Sequence, residues 1–129
     1  MNQDRGSLSI LLAGYLALAL LMTVAGGAVG LALVSHNRIQ GITDSAVLYA
    51  HDRSVRKGIP TLQKLRVEVV NYLSAAASAK EIEVVSLKVE VFAAESALTL
   101  CARHIDPLGF MLHSGLICKN AKAKSFLVP

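Results

Sequence analysis

From Gly6 to Ser35 the chain carries no Asp, Glu, Lys, Arg or His, and Leu8–Val34 is almost wholly Leu, Ala, Val, Gly, Ile and Met. A hydrocarbon core about 30 Å thick takes roughly 20 such residues as a helix, so this run predicts a membrane-spanning helix over residues 8–34. Beyond it the pattern becomes one-sided. Ile39, Ile42, Ala46 and Tyr49 recur at spacings of three and four, a helical stripe that predicts an extension over residues 35–50. Gly41 inside it costs about 1 kcal/mol relative to Ala and offers a place to bend. A helix from Leu8 to Ala50 reaches roughly 65 Å at 1.5 Å per residue, about twice the bilayer core. Its second half stands in water and needs a surface for its stripe.

A polar link is expected from His51 to Gly58. Pro60 then suits the first turn of a second helix, where its missing N–H is harmless. That helix is predicted over residues 60–79, with Leu62, Leu65, Val69, Leu73 and Ala76 on one face and Lys64, Glu68, Asn71 and Ser78 facing away. Strands follow over about 81–93: apolar and charged residues alternate in Glu81–Val84 and again in Leu87–Val91, the period of a half-buried strand. The phase breaks at Val85–Ser86, where a bulge or tight connection would restore the apolar face. Ser96–Ala102 reads as a short helix or turn, and Asp106–Gly109 as a turn. Residues 116–128 alternate once more, with Asn120, Lys122 and Lys124 opposite Ala121 and Ala123. Lysines on a terminal strand protect a sheet edge from mispairing. The fold class is therefore α+β: a long N-terminal membrane-spanning helix, a second helix and a short antiparallel sheet.

Composition adds limits. The chain has 129 residues, so about 95 follow the apolar run, enough for one small domain and too few for two. Such a core is marginal without help from a bilayer, a disulfide or a partner. Lys+Arg number 13 against Asp+Glu 9, a net charge of +4, and there is no Trp. The excess is modest and scattered, which suits an anionic membrane surface and does not point to nucleic acid. No phosphate-cradling glycine loop and no Walker-type run is present, so the chain is not read as an ATPase, and no small-molecule substrate is assigned.

The apolar run has two readings. A cleaved secretory signal has a shorter apolar stretch ending in small residues, and Val24–Ala28 offers such a site. Against cleavage, apolar character continues through Leu31–Val34, and Met1–Arg5 holds one basic side chain beside Asp4. An uncleaved anchor is the favoured reading. Its orientation is weakly marked: Arg38 and Arg53 outnumber Arg5 near the ends, a slight bias toward a cytoplasmic C-terminus. Gly26 and Gly30 form a G-x-x-x-G at which membrane helices can approach closely.

Chemistry-bearing residues are few. Cys101 and Cys118 flank the Asp106–Gly109 turn. They can form a disulfide, which at a loop of about 17 residues stabilises by roughly 3 kcal/mol in the chain-entropy model, or remain buried thiols. With His104 and His113 they make a C-x2-H-x8-H-x4-C set of zinc-ligand types whose spacing matches no common zinc module. No cofactor or metal is assigned. His51–Asp52 and His104 with Asp106 are acid–base pairs without an identifiable nucleophile, and no catalytic residue is assigned.

The start of the chain resembles a family. Arg5-Gly6-Ser7 leads into the Leu/Ala helix, which exits through His36–Gln40 and Asp44–Ala50. This is similar to the TadE-like proteins of tight-adherence (Flp) pilus systems, and specifically to a small actinobacterial subgroup encoded near secretion and helicase genes. The subgroup's helix exit reads R-x-Q-x-x-x-D-x-A-x-L-x-A, filled here by Arg38, Gln40, Asp44, Ala46, Leu48 and Ala50. The match covers residues 5–50; the closing Ala121–Lys124 resembles the family's basic/Ala strand. The resemblance implies a small extracytoplasmic pilin-like domain over residues 35–129, a cytoplasmic tail over residues 1–7, and a non-enzymatic, pseudopilin-like role in assembling a surface filament. It implies a single-pass protein of the cell membrane with its N-terminus inside, against the charge bias. Its partners are the lipid bilayer and other pilus or secretion membrane proteins, including another TadE-like protein. Pilin-type precursors carry a Glu five residues after the cleaved Gly; counted from Gly6, this chain has Leu11. Asp44 and Arg38 are the candidates for subunit contacts. The competing reading is a small secreted binding protein, released near Ala25–Ala28 and stapled by Cys101–Cys118.

Overall fold

The computed structural model describes residues 4–105 and 115–125. The chain divides into two units, Met1–Val34 and Ser35–Pro129. Leu and Ala lose little freedom in a helix, and they carry helix α1 over Asp4–Arg56.

In the first unit every large apolar side chain of α1 is exposed, Leu8 at 75 % and Leu16 at 55 %. Mean hydropathy reaches 2.3, and α1 is long and apolar enough to cross a membrane. Two of its hydroxyls bond to its own backbone: Ser9 Oγ donates to Gly6 O (3.0 Å) and Thr23 Oγ1 to Leu20 O (2.8 Å). A segment in hydrocarbon must satisfy its polar groups internally in this way.

The second unit contains the C-terminal part of α1, then α2 (Leu62–Ala75), a 3-10 turn (Ala77–Glu81), β1 (Ile82–Phe92), β2 (Glu95–His104) and β3 (Ile117–Lys124). The strands form an antiparallel sheet in the order β1-β2-β3. Apolar residues of both helices meet one face of it. Ala46, Val47 and Ala50 of α1 and Leu65 and Val69 of α2 pack with Val89, Leu98, Ala121 and Ala123. Ile39 and Ile42 pack with Ile82, Leu100, Ala102 and Ile117. Opposing alanines let helix and sheet approach closely, so Leu98 and Leu100 fill the gap and are fully buried. Burying a side chain of that size contributes roughly 1.5–3 kcal/mol.

The break at Val85 is a bulge. Val84 pairs with Ala102 and Ser86 with Cys101, so one residue is extra and Leu87, Val89 and Val91 return to the helix-covered face. β1 and β2 are joined by Ala93–Ala94 alone, since Phe92 pairs with Glu95. Ala93 has φ 44°; a positive φ at the first central residue only is the II′ hairpin pattern, where Gly is preferred.

Several expectations are corrected. The predicted link His51–Gly58 is helical as far as Arg56. The core stripe continues through Ala50, His51 and Ser54, all buried, and Arg53 and Arg56 in the last turn suit the helix dipole. The chain turns away two residues beyond the helix at Gly58, whose φ of 108° is one that side chains rarely adopt. Helix assignment is unbroken through Gly41. Tyr49 is 38 % exposed, and Val47 takes the buried position expected of it. Pro60 lies outside α2, because Thr61 caps it and accepts from Lys64 N. The predicted helix 60–79 is α2 followed by the 3-10 turn. Glu68, expected to face away, is buried at 6 % exposure. Ser96–Ala102 is neither helix nor turn but most of the central strand β2. The Asp106–Gly109 turn, His113 and residues 126–128 lie outside the described residues.

Candidate functional site

The residues singled out at the helix exit have separate tasks. Ala46 and Ala50 are fully buried core residues. Arg38 forms an ion pair with Glu81, tying α1 to the 3-10 turn that feeds β1. Gln40 Nε2 donates to Asp44 Oδ1 at 2.8 Å, one turn apart on the exposed surface. Leu48 is 59 % exposed, on the side of the helix away from the sheet. Arg38, Gln40, Asp44 and Leu48 thus form no single cluster: one anchors the local fold, two satisfy each other, and one apolar side chain is left open. Gly26 and Gly30 are exposed, and a Cβ built on either meets nothing within 4 Å.

A second constellation locks α1 to α2. The Glu68 carboxylate, 8 % exposed as a side chain, is bound by Lys57 and lies 3.7 Å from Arg53. The hydrogen bond from Lys57, followed by the charges of Lys57 and Arg53, holds its pKa below the ordinary 4.5, against the opposing effect of burial. Arg53 also stands 5.5 Å from the centre of the Tyr49 ring, and Tyr49 lies 5.3 Å from the Tyr72 ring. This line of contacts from Lys57 to Tyr72 closes the helix pair. Beside it lies an open cleft of about 400 Å³ lined by Ser54, Lys57, Thr61, Gln63, Lys64, Val67 and Glu68. Lys57 is already engaged by Glu68, and the cleft holds no nucleophile with a base.

One polar pair was not legible in the sequence. His51 Nδ1 lies 2.8 Å from Ser96 Oγ, both side chains buried. A hydroxyl and an imidazole are the components of a nucleophile–base couple. Here the hydroxyl is inaccessible, and His51 Nε2 has no partner among the described residues, so nothing orients the ring as a base. The pair joins α1 to β2.

Cys101 and Cys118 are directly opposite on β2 and β3, with their sulfurs joined and Cα atoms 4.0 Å apart. Sulfurs bonded to each other are not thiolate ligands, so the structure does not assemble the four-residue zinc set. Among the described residues no group of three metal-ligating side chains comes together. Asp52, the neighbour of His51, pairs instead with Arg56 at 3.0 Å on the helix surface.

Residues 6–56 match a family model named Tad, described as Flp pilus-assembly TadE/G-like. The matched stretch covers α1 from Gly6 to its last residue, Arg56, and stops before the link to α2. No curated protein and no solved structure matches the chain.

Proposed function

We propose that this chain is a non-enzymatic, single-pass membrane component of a Flp/Tad-type pilus or secretion assembly, with a pseudopilin-like role. The observation that carries the reading is the coincidence of the family match with α1. The matched residues hold the apolar run, the Gly26/Gly30 pair and the helix exit, and the run is exposed along its whole length. Exposed surface of that kind needs hydrocarbon or other apolar helices around it. The small residues at Gly26 and Gly30 suit close helix packing, so other pilus or secretion membrane proteins, including another TadE-like chain, are the proposed partners. The second unit is placed outside the cytoplasm, where a Cys101–Cys118 bond can persist. The actinobacterial subgroup and an N-in orientation belong to the same proposal.

Two experiments test it. Substituting Gly26→Leu with Gly30→Leu is expected to lower recovery of membrane partners in co-purification; unchanged recovery would exclude the helix-packing role. Intact mass with N-terminal sequencing of membrane and culture fractions separates anchor from leader. A membrane-bound chain that retains residues 8–34 supports an assembly component. A soluble chain beginning near Gly27 or Val29 would instead establish a secreted binding protein, the reading that the disulfide-stapled small domain also fits.

A further inference from the structure

The sheet has two unlike edges. β1 and β3 are its outer strands, and among the described residues neither pairs on its far side. The Cα separation of 4.0 Å at Cys101–Cys118 is the close spacing of a non-hydrogen-bonded antiparallel pair, about 4.5 Å. Backbone groups alternate in direction along a strand, so those of Cys118, Asn120, Lys122 and Lys124 point out of the sheet at the β3 edge. Continuing the same alternation through Cys101 and its partner Ser86, those of Leu87, Val89 and Val91 point out at the β1 edge. The charges differ as well. β3 carries Lys119, Lys122 and Lys124 with no acid of its own, Lys122 being paired with Glu95 of β2 at 2.9 Å while most of its side chain stays exposed. β1 carries Glu83 and Glu90 around a single Lys88, which is held by Glu90 at 2.6 Å.

We infer that the β3 edge of one copy docks on the β1 edge of a second copy, the two strands running parallel. Two β3 edges are poor partners for each other, because they bring lysines together with no acid on either strand. They do fit an edge whose exposed face offers carboxylates. One register satisfies backbone and charge together. With Lys122 beside Glu90 of the second copy, Asn120 falls beside its Lys88. The outward groups of Asn120 and Lys122 then meet those of Leu87, Val89 and Val91, as parallel pairing requires. Moving two residues one way sets Lys122 against Lys88; moving two the other way leaves Lys122 beside Phe92, with no carboxylate from the second copy to add to its own Glu95. The outward residues of β3 carry exposed side chains, whereas Leu87, Val89 and Val91 of β1 pack against the helices. Parallel pairing therefore keeps the open faces of the two sheets on one side, and antiparallel pairing of these edges would not. The contact is heterologous, so it propagates into a row or closes into a ring.

The test uses the full chain, as unlabelled and ¹⁵N-labelled preparations reconstituted together in vesicles. A zero-length carbodiimide couples touching lysines and carboxylates, and mass spectrometry reads mixed-isotope peptides. Coupling of Lys122 to Glu90 between copies is the expected result; coupling of Lys124 to Glu90 in its place would overturn the register. Glu90→Lys and Lys122→Glu, each alone, set like charges against each other and remove one of the two coupling groups, so the cross-link between copies is lost. Mixing the two variants makes both contacts between unlike copies opposite in charge, so coupling between unlike variants returns together with alternating longer products; no return would overturn the proposal. Their helix-and-strand circular dichroism checks that each variant folds. No coupling between copies, or coupling between β1 and β1, overturns the proposal even if the chain remains in carbonate-washed membranes. Coupling of the stated residues in a chain that carbonate releases would support the edge contact while overturning the anchored reading.

Discussion

Ser96→Ala is the most informative substitution for the fold. It removes the hydroxyl 2.8 Å from His51 Nδ1 and little else, since Ser96 is fully buried on the central strand β2, one residue from its start at the β1–β2 turn. His51 Nε2 already has no partner among the described residues, so the variant leaves a buried imidazole with neither nitrogen satisfied. Orphaning a buried polar group costs about 1–3 kcal/mol. At about 4–8 °C per kcal/mol for a domain of this size, melting falls by roughly 5–20 °C. The double variant His51→Leu, Ser96→Ala removes both partners and fills the site with apolar atoms, a change that can be nearly neutral. Urea and thermal unfolding of the full chain in detergent, followed by circular dichroism, give a double-mutant cycle. A coupling energy of at least about 1 kcal/mol is expected for groups in direct contact. Additive losses, or a Ser96→Ala variant as stable as the parent, would refute the claim that this pair holds α1 against β2.

Two further predictions follow from local geometry. Ala93→Gly relieves a left-handed residue at φ 44° and should raise stability by about 1 kcal/mol, read as a higher urea midpoint at an unchanged slope. Glu68 has a lowered pKa, so its contribution is fully present above 4.5 and is lost as pH falls through the depressed value. Glu68→Gln is therefore expected to be less stable than the parent at neutral pH, with the difference shrinking in an acid titration of the melting temperature. A difference that grew toward acid pH would contradict the assigned sign.

The same residues show why some of the structure was legible in advance. α1 was readable because an unbroken apolar run and a three-four stripe each specify a helix without reference to anything distant. β1 was readable from its alternation, and its bulge from the one place where the alternation fails. The corrected elements lack such a local signal. Ser96–Ala102 contains Ala, Leu, Thr and Cys in no strict alternation, and becomes a strand because both of its sides are paired, to β1 and to β3. Its turn, Ala93–Ala94, has no Gly, Asn or Pro to announce it. Glu68 looked like a solvated charge until Lys57 and Arg53 arrived from the other helix to offset its desolvation.

By itself, then, the sequence determined which segments are helical or alternating, that the first of them is apolar enough for a bilayer, and that the helix exit is similar to the TadE-like proteins. These depend on periodicity and composition, which are properties of neighbours along the chain. The tertiary structure alone decided that His51 meets Ser96, that Glu68 is buried, that β2 is central, and which edges of the sheet are left open. Each of these depends on side chains or strands brought together from distant positions, and one chain's periodicity carries no record of which distant partner will satisfy a polar group.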